Sequence, residues 1–352
     1  MNLTGLISSI QPLDADAMSA ARARQDTLTK PAGSLGRLEA LSVQMAGITG
    51  RARPTVTHKV VIVMAGDHGV VAEGVSAFPQ AVTPQMVFNF LQGGAAINVL
   101  ARHVGARVVI ADLGVAVEMG AQPGLIDRKV AAGTANIAVG PAMTRAQAEQ
   151  AILAGAAIAA AEIERGLDVL ATGDMGIGNT TPSAAIAAAV TGRPAVEICG
   201  RGTGVDDAGL ERKRSAVARA LVVNQADPAD GLDLLAKLGG FEIGGLAGAI
   251  LGAAAARKAV VIDGFISTAA AIVAATLAPQ VKGYLIAAHC SQELGHRLMM
   301  EWLGLTPLLD MQMRLGEGTG AALAMSLVEA SCKVLDEMAT FGEAGVSGKD
   351  GE

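Results

Sequence analysis

The chain has 352 residues, of which 51% are hydrophobic and 17% charged, with a formal net charge of −6. That much apolar bulk buries a large core and excludes disorder as the dominant state. Aromatic residues make up only 2%, and no basic run is longer than Arg212-Lys213-Arg214, so the charge footprint and the stacking platform of a nucleic-acid binder are both missing.

Cys199, Cys290 and Cys332 are too few and too far apart for a disulfide framework or a CxxC metal site, which fits a reducing cytoplasm. The start of the chain lacks the basic-then-apolar pattern of a signal peptide. Residues 74–101 are uncharged but broken by Pro79 and Pro84, and residues 264–281 carry Ser267, Thr268, Pro279 and Gln280. Both therefore read as parts of a soluble fold, with no membrane span.

Residues 1–55 read as helices on either side of a break at Thr29-Lys30-Pro31-Ala32-Gly33-Ser34-Leu35-Gly36, the second helix running to about Gly50. Short β-branched runs follow at residues 60–64, 108–110, 168–170, 260–262 and 284–286, with a sixth candidate at 195–198. They predict strands buried on both faces, and the Ala-rich stretches 149–165, 182–190, 245–257 and 267–277 predict crossover helices. The alternation predicts an α/β fold, a parallel Rossmann-like sheet flanked by helices over residues 56–304. Residues 305–345 return to helix and join the N-terminal segment in a small helical subdomain, and 346–352 form a polar tail. In such a sheet ligands lie beyond the carboxyl ends of the strands, which here carry Asp67-His68, Asp112, Asp174, Asp263 and His289.

Two glycine-rich segments read as turns that follow strands and open helices: Gly173-Asp174-Met175-Gly176-Ile177-Gly178-Asn179-Thr180-Thr181 and Cys199-Gly200-Arg201-Gly202-Thr203-Gly204. Glycine lets backbone N–H groups converge, and a helix N-terminus adds partial positive charge, so each is a candidate phosphate cradle, with Lys213 downstream to supply a full charge. The plainer reading is an ordinary α/β turn. Neither the GxGxxG nor the Walker spacing occurs, which argues against a standard dinucleotide enzyme or NTPase. A third cluster, Arg314-Leu315-Gly316-Glu317-Gly318-Thr319-Gly320, sets one carboxylate between two glycines. Glu317 is then a general base that meets a substrate edge-on, desolvated by Leu315, or an acid that complements a helix N-terminus.

Asp67-His68 is a catalytic couple or a hydrogen-bonded structural one. Phe78, Met86, Phe88 and Phe90 gather in one segment and predict either core packing or a pocket for a planar ring. Met175 and Leu315 would be its further walls, with Ser76, Gln80 and Ser291 as hydrogen-bond partners. His289, Glu293 and His296 would share a face if residues 291–297 were helical, but no second ligand group and no HExxH order accompany them, and no metal is expected.

Together with Thr29-Lys30-Pro31, Gly33-Ser34-Leu35-Gly36-Arg37-Leu38-Glu39 and Ala65-Gly66-Asp67-His68-Gly69-Val70, the three glycine segments resemble, in order and across nearly the whole chain, the nicotinate-nucleotide:dimethylbenzimidazole phosphoribosyltransferase family of cobalamin lower-ligand synthesis. The resemblance implies an α/β domain with a small domain of helices from both chain ends, a homodimer, and transfer of 5-phosphoribose from nicotinate mononucleotide to 5,6-dimethylbenzimidazole without a cofactor. It implies that Glu317 is the general base. It implies further that Asp174, Gly176, Ile177, Gly178, Asn179, Thr180, Gly202, Gly204 and Lys213 meet the nucleotide, and that Ser291 and Leu315 line the ring pocket. Position 174 carries Asp where the family often has Glu, and Gln80, Phe88 and Met175 fall where the family varies, which leaves the preferred base open. A non-catalytic nucleotide-binding module would use the same loops without Glu317.

Overall fold

The structure, a computed structural model, describes residues 2–202 and 204–347. Its strands form one parallel sheet: β1 (Lys59–Gly66), β2 (Ala106–Gly114), β3 (Leu125–Asp127), β4 (Val169–Met175), β5 (Ala259–Ile262) and β6 (Leu285–Ala287), in the order β3-β2-β1-β4-β5-β6. The order reverses between β1 and β4, the place where a doubly wound sheet opens a crevice at the carboxyl ends of its strands.

Every residue of β1 is buried, because helices cover both of its faces. A Cβ on Gly318 would lie 2.7 Å from Val61 Cγ1, and one on Gly245 2.5 Å from Met64 Sδ. Side chains three apart on a strand point to opposite faces, so the helices Thr319–Glu337 and Phe241–Ala255 flank the sheet from the two sides. Phe241–Ala255 also lies hard against Arg145–Glu164: a Cβ on Gly155 would overlap Gly245 O, and one on Gly248 would overlap Ile152 O. With almost no rings to fill space, this core closes by bringing backbones together over Gly and Ala.

The helices Ala15–Thr27 and Arg37–Thr49 pack on Thr319–Glu337 through Ala17, Ala21, Val43, Ala46 and Leu335. Arg24 donates to the carbonyls of Leu335 (2.6 Å), Asp336 (3.0 Å) and Met338 (3.2 Å), the groups that the last helical turn leaves without partners.

Three sequence expectations need correction. Residues 195–198 form a short helix, Ala195–Ile198, starting after Pro194; Ala195 and Ile198 are buried while Val196 and Glu197 are exposed, a helical spacing and not a strand alternation. The glycine segment at 199–204 therefore follows a helix, and the sixth strand is the short edge strand β3. Gly173, Asp174 and Met175 belong to β4 and not to the turn after it. Of the tail, Val346 and Ser347 are exposed and 348–352 lie outside the described residues. Among the described residues no helix is long and apolar enough to cross a membrane.

Candidate active site

A cavity of about 240 Å³ opens beyond the carboxyl ends of β4, β5 and β6. Its floor is the segment from Asp174 to Thr180. Its other walls come from Gly264 to Ile266, from His289, Ser291 and Glu293, from Arg314 to Glu317, and from Phe78, Val82 and Met86.

Glu317 is carried on three successive left-handed residues, with φ of 84° at Gly316, 63° at Glu317 and 92° at Gly318. Such a turn is open to glycine and strained for glutamate, by roughly 1–3 kcal/mol. It is held by Asp263 at the end of β5, whose carboxylate accepts from Gly318 N (3.2 Å) and Ala321 N (2.9 Å) and so ties the start of Thr319–Glu337 to the sheet. Beneath it, Gly173 permits close approach, since a Cβ there would overlap Glu317 O. Glu317 Oε2 accepts from Ile97 N at 3.2 Å. Burial raises the carboxyl pKa above its ordinary value, the Ile97 bond opposes this, and the nearby Asp263 adds to it. Leu315 is exposed at the cavity rim and acts as a wall, so the desolvation of Glu317 comes from the interior side.

The loop after β4 is pinned from several directions. Ile177 N donates to Thr83 Oγ1 (3.0 Å), and Asn179 Nδ2 donates to Asp174 Oδ2 (2.9 Å). Thr180 Oγ1 accepts from Lys213 Nζ (2.8 Å), which also donates to Gly200 O (3.1 Å). Lys213 is buried behind Thr180 and Gly202 and is not itself on the cavity wall; desolvation lowers its pKa, with the acid of Glu293 opposing. Gly202, with φ of 54°, lets the chain pass close over that ammonium, since a Cβ would lie 3.3 Å from Nζ. Arg314 Nη1 donates to Gly202 O (2.9 Å), which joins the second and third glycine clusters. Burial raises the Asp174 pKa well above the carboxylate range, reinforced by the charges of Asp263 and Glu242. Gly178 and Gly204 shape their turns, with φ of 91° and 111°, and lie outside the cavity lining.

On the helix Val82–Leu91, Val82 and Met86 are one turn apart and both face the cavity, as do Phe78, Met175, Ser291 and Leu315. Phe88 lies two positions beyond Met86 and so on the far side of that helix, half exposed, while Phe90 is in the core. Ser76 Oγ is engaged with the main chain of Phe78. Ser76, Gln80 and Phe88 are therefore outside the wall expected of them.

The polar residues at the other strand ends mostly hold loops. Asp67 accepts from Ala116 N (2.8 Å), Asp112 from Gly114 N (2.9 Å) and Val115 N (2.8 Å), and His68 pairs with Glu242. The helix after Ser291 begins only at His296, so His289, Glu293 and His296 do not share a helical face. His296 Nδ1 accepts from Ser291 N (2.9 Å), which puts the proton on Nε2, donating to Thr268 Oγ1 (2.9 Å); that hydroxyl donates to Gly264 O (2.8 Å). Burial holds the His296 pKa down at about 3. Its two nitrogens brace the cavity wall and are not free for a metal, and among the described residues no group of three side chains could hold one. Sequence reasoning missed Arg314, Val82 and the wall at Gly264, Phe265 and Ile266; only Arg314 carried a signal, its place beside Leu315-Gly316-Glu317.

The phosphoribosyltransferase family model matches residues 10–346. The nicotinate-nucleotide–dimethylbenzimidazole phosphoribosyltransferase of Roseiflexus sp. (strain RS-1) is 65% identical over 99% of this chain and 98% of its own. That of Chloroflexus aggregans (strain MD-66 / DSM 9485) is 64% identical with the same coverage. The crystal structure of the enzyme of that name from Thermus thermophilus superposes with a TM-score of 0.91 at 49% identity, covering 96% of this chain and 100% of that one. The chain belongs to the nicotinate-nucleotide–dimethylbenzimidazole phosphoribosyltransferase family.

Proposed function

We propose that this cavity transfers 5-phosphoribose from nicotinate mononucleotide to 5,6-dimethylbenzimidazole, giving nicotinate and α-ribazole 5′-phosphate, a step toward the lower ligand of cobalamin. The observation that carries the reading is Glu317: a buried carboxylate of raised proton affinity on the wall of a cavity whose floor is a pinned glycine loop backed by Lys213.

The chemistry asks little of the protein. The nicotinate nitrogen is cationic in the nucleotide and leaves neutral, so the C1′–N bond breaks without an acid. The benzimidazole nitrogen attacks C1′ from the opposite face, its ring becomes cationic, and its other N–H becomes strongly acidic. Glu317 takes that proton, which restores a neutral base in the product. Asp174, Gly176, Ile177, Asn179, Thr180 and Gly202 hold the phosphate and ribose, Gly178 and Gly204 shape the turns that carry them, and Lys213 acts through Thr180 and the loop around Gly200. Met175, Ser291 and Leu315, with Phe78 and Met86, hold the ring. Fixing both substrates in line contributes several kcal/mol, up to about 7–11 in well-oriented systems.

Incubation of the protein with both substrates is expected to release nicotinate in a base-dependent manner, with an equal amount of ribosylated base. Nucleotide binding without release would make the protein a non-catalytic nucleotide-binding module. We further infer a homodimer in the cytoplasm. Phe78, Met311 and Leu315 are 49%, 57% and 58% exposed, and Phe78 and Leu315 stand on the cavity wall, apolar surface that a second copy would cover. The three cysteines are free thiols. Sedimentation of the purified protein tests the dimer.

A further inference from the structure

His68 and Glu242 form a buried pair directly behind the loop that follows β4. The ring Nε2 lies 2.8 Å from Glu242 Oε1, and the side chains are 1% and 0% exposed. His68 follows β1, and Glu242 stands in the first turn of Phe241–Ala255. Glycines from three elements make room for them. A Cβ on Gly66 would lie 2.7 Å from Glu242 Oε2, one on Gly240 would overlap His68 Cε1, and one on Gly176 would overlap Gly66 O and lie 3.3 Å from His68 Nε2. A Cβ on Gly178 would lie 3.9 Å from His68 Cβ. Gly176, which lines the cavity, thus sits against the Gly66 carbonyl with the imidazole edge beside it.

A buried ionisable pair adds little net stability, because loss of hydration offsets the attraction. His68 Nδ1 and Glu242 Oε2 make no hydrogen bond among the described residues, so apolar side chains would fill this niche at smaller cost. What the pair supplies is direction. The bond to Nε2 sets the plane of the imidazole, and the imidazole together with the Gly66 carbonyl forms the support beside the Gly176 backbone. Thr83 Oγ1 holds the next residue, through Ile177 N, from the other side. We propose that His68 and Glu242 are positioning residues for the nucleotide site, a role that rests on the function proposed above for this loop.

The test compares the wild type with the double variant His68→Leu/Glu242→Leu, in which an apolar pair replaces the polar one and which is expected to fold. Calorimetry should show nicotinate mononucleotide bound at least about tenfold more weakly by the double variant, while its KM for dimethylbenzimidazole stays within about twofold, since misplacing a binding group by a fraction of an ångström has effects of this order. A folded double variant with wild-type affinity for the nucleotide overturns the proposal. Should it fail to fold, two single variants decide: Glu242→Leu is expected to bind weakly, and His68→Gln, whose amide nitrogen can take the place of Nε2, to bind like the wild type. Equal affinities for those two overturn the proposal. A wild type that binds the nucleotide but releases no nicotinate overturns the reaction and leaves the affinities to judge the pair.

Discussion

Glu317 Oε2 accepts a hydrogen bond from Ile97 N at 3.2 Å, across 220 positions of sequence, at the first turn of the helix Ala96–Val104. That N–H favours the carboxylate, burial and Asp263 disfavour it, and the balance leaves the pKa raised. A base with more than ordinary proton affinity suits the removal of a benzimidazolium proton. Glu317→Gln keeps the shape and an acceptor for Ile97, so nucleotide binding should survive while kcat falls by about two to four orders of magnitude. The sign of the pH effect follows from the raised pKa: wild-type kcat should fall with decreasing pH through a limb above the ordinary glutamate range, and the pH–rate profile of the variant should lack that limb. Near-normal turnover by Glu317→Gln would remove the assignment.

Much of this arrangement could be read from residue types alone. The glycine clusters announced turns at the site, though Gly173 to Met175 proved to be strand, and the β-branched runs announced strands, because both signals are local. β3 escaped because it is a short, half-buried edge strand, and residues 195–198 misled because four apolar-leaning residues fit either period. The phase of Val82–Leu91 is set by which face meets the core, so Phe88 could not be told from Met86 beforehand. Lys213 reads as the full charge for the glycine turns, yet its helix buries it behind Thr180 and off the cavity wall, which no local signal shows. The pairing of His68 with Glu242 spans 174 positions and leaves no local trace.

The left-handed turn around Glu317 should be intolerant of side chains. Gly318 has φ of 92°, and a Cβ there would lie 2.7 Å from Val61 Cγ1 and 3.1 Å from Thr172 O. Gly192 has φ of 66° with nothing near its Cβ position. Gly318→Ala should lose about 2–4 kcal/mol by adding overpacking to backbone strain, and Gly192→Ala only about 1. Denaturant unfolding of the two variants checks the order, and equal losses would show that the sheet yields at Val61.

Asp174 predicts a pH-dependent penalty. Its folded pKa is raised well above 3.8, so between the unfolded and folded values the folded chain keeps a proton that the unfolded chain has released. Stability must then fall as pH rises through that window. Asp174→Asn does not titrate and still offers an acceptor to Asn179, so it should be as stable as the wild type near pH 4 and more stable near pH 8. A stability difference that does not change with pH would contradict the protonated state.

Lys213 donates to Thr180 Oγ1 and Gly200 O behind the cavity wall. Lys213→Ala would remove the cation and leave both acceptors without it. Nicotinate mononucleotide should bind more weakly by about 1–3 kcal/mol, the range for leaving buried acceptors such as Thr180 Oγ1 and Gly200 O without their donor, with the neutral base little affected. If the melting temperature drops while the nucleotide KM holds, the lysine serves only as a prop.

Recognition of the base should follow from what lines the end of the cavity proposed above for the ring. Phe78, Val82, Met86, Met175 and Leu315 are apolar, and Ser291 is the hydroxyl among them; of the few hydrogen-bond partners expected, Ser76, Gln80 and Ser291, only Ser291 lines the cavity. A mostly apolar wall distinguishes substrates by contact area, so removing one methyl from dimethylbenzimidazole should lower kcat/KM by only about 1–3 kcal/mol. Benzimidazole and its methylated relatives should all be accepted. Adenine brings ring nitrogens and an amine that lose water on entry, and an apolar wall returns few hydrogen bonds for them. At equal concentrations of dimethylbenzimidazole and adenine, the product should therefore be dominated by the benzimidazole nucleotide. An adenine-dominated mixture would mean that the bases approach Asp174, Ser291 and Glu293 and not the Phe78 side of the cavity.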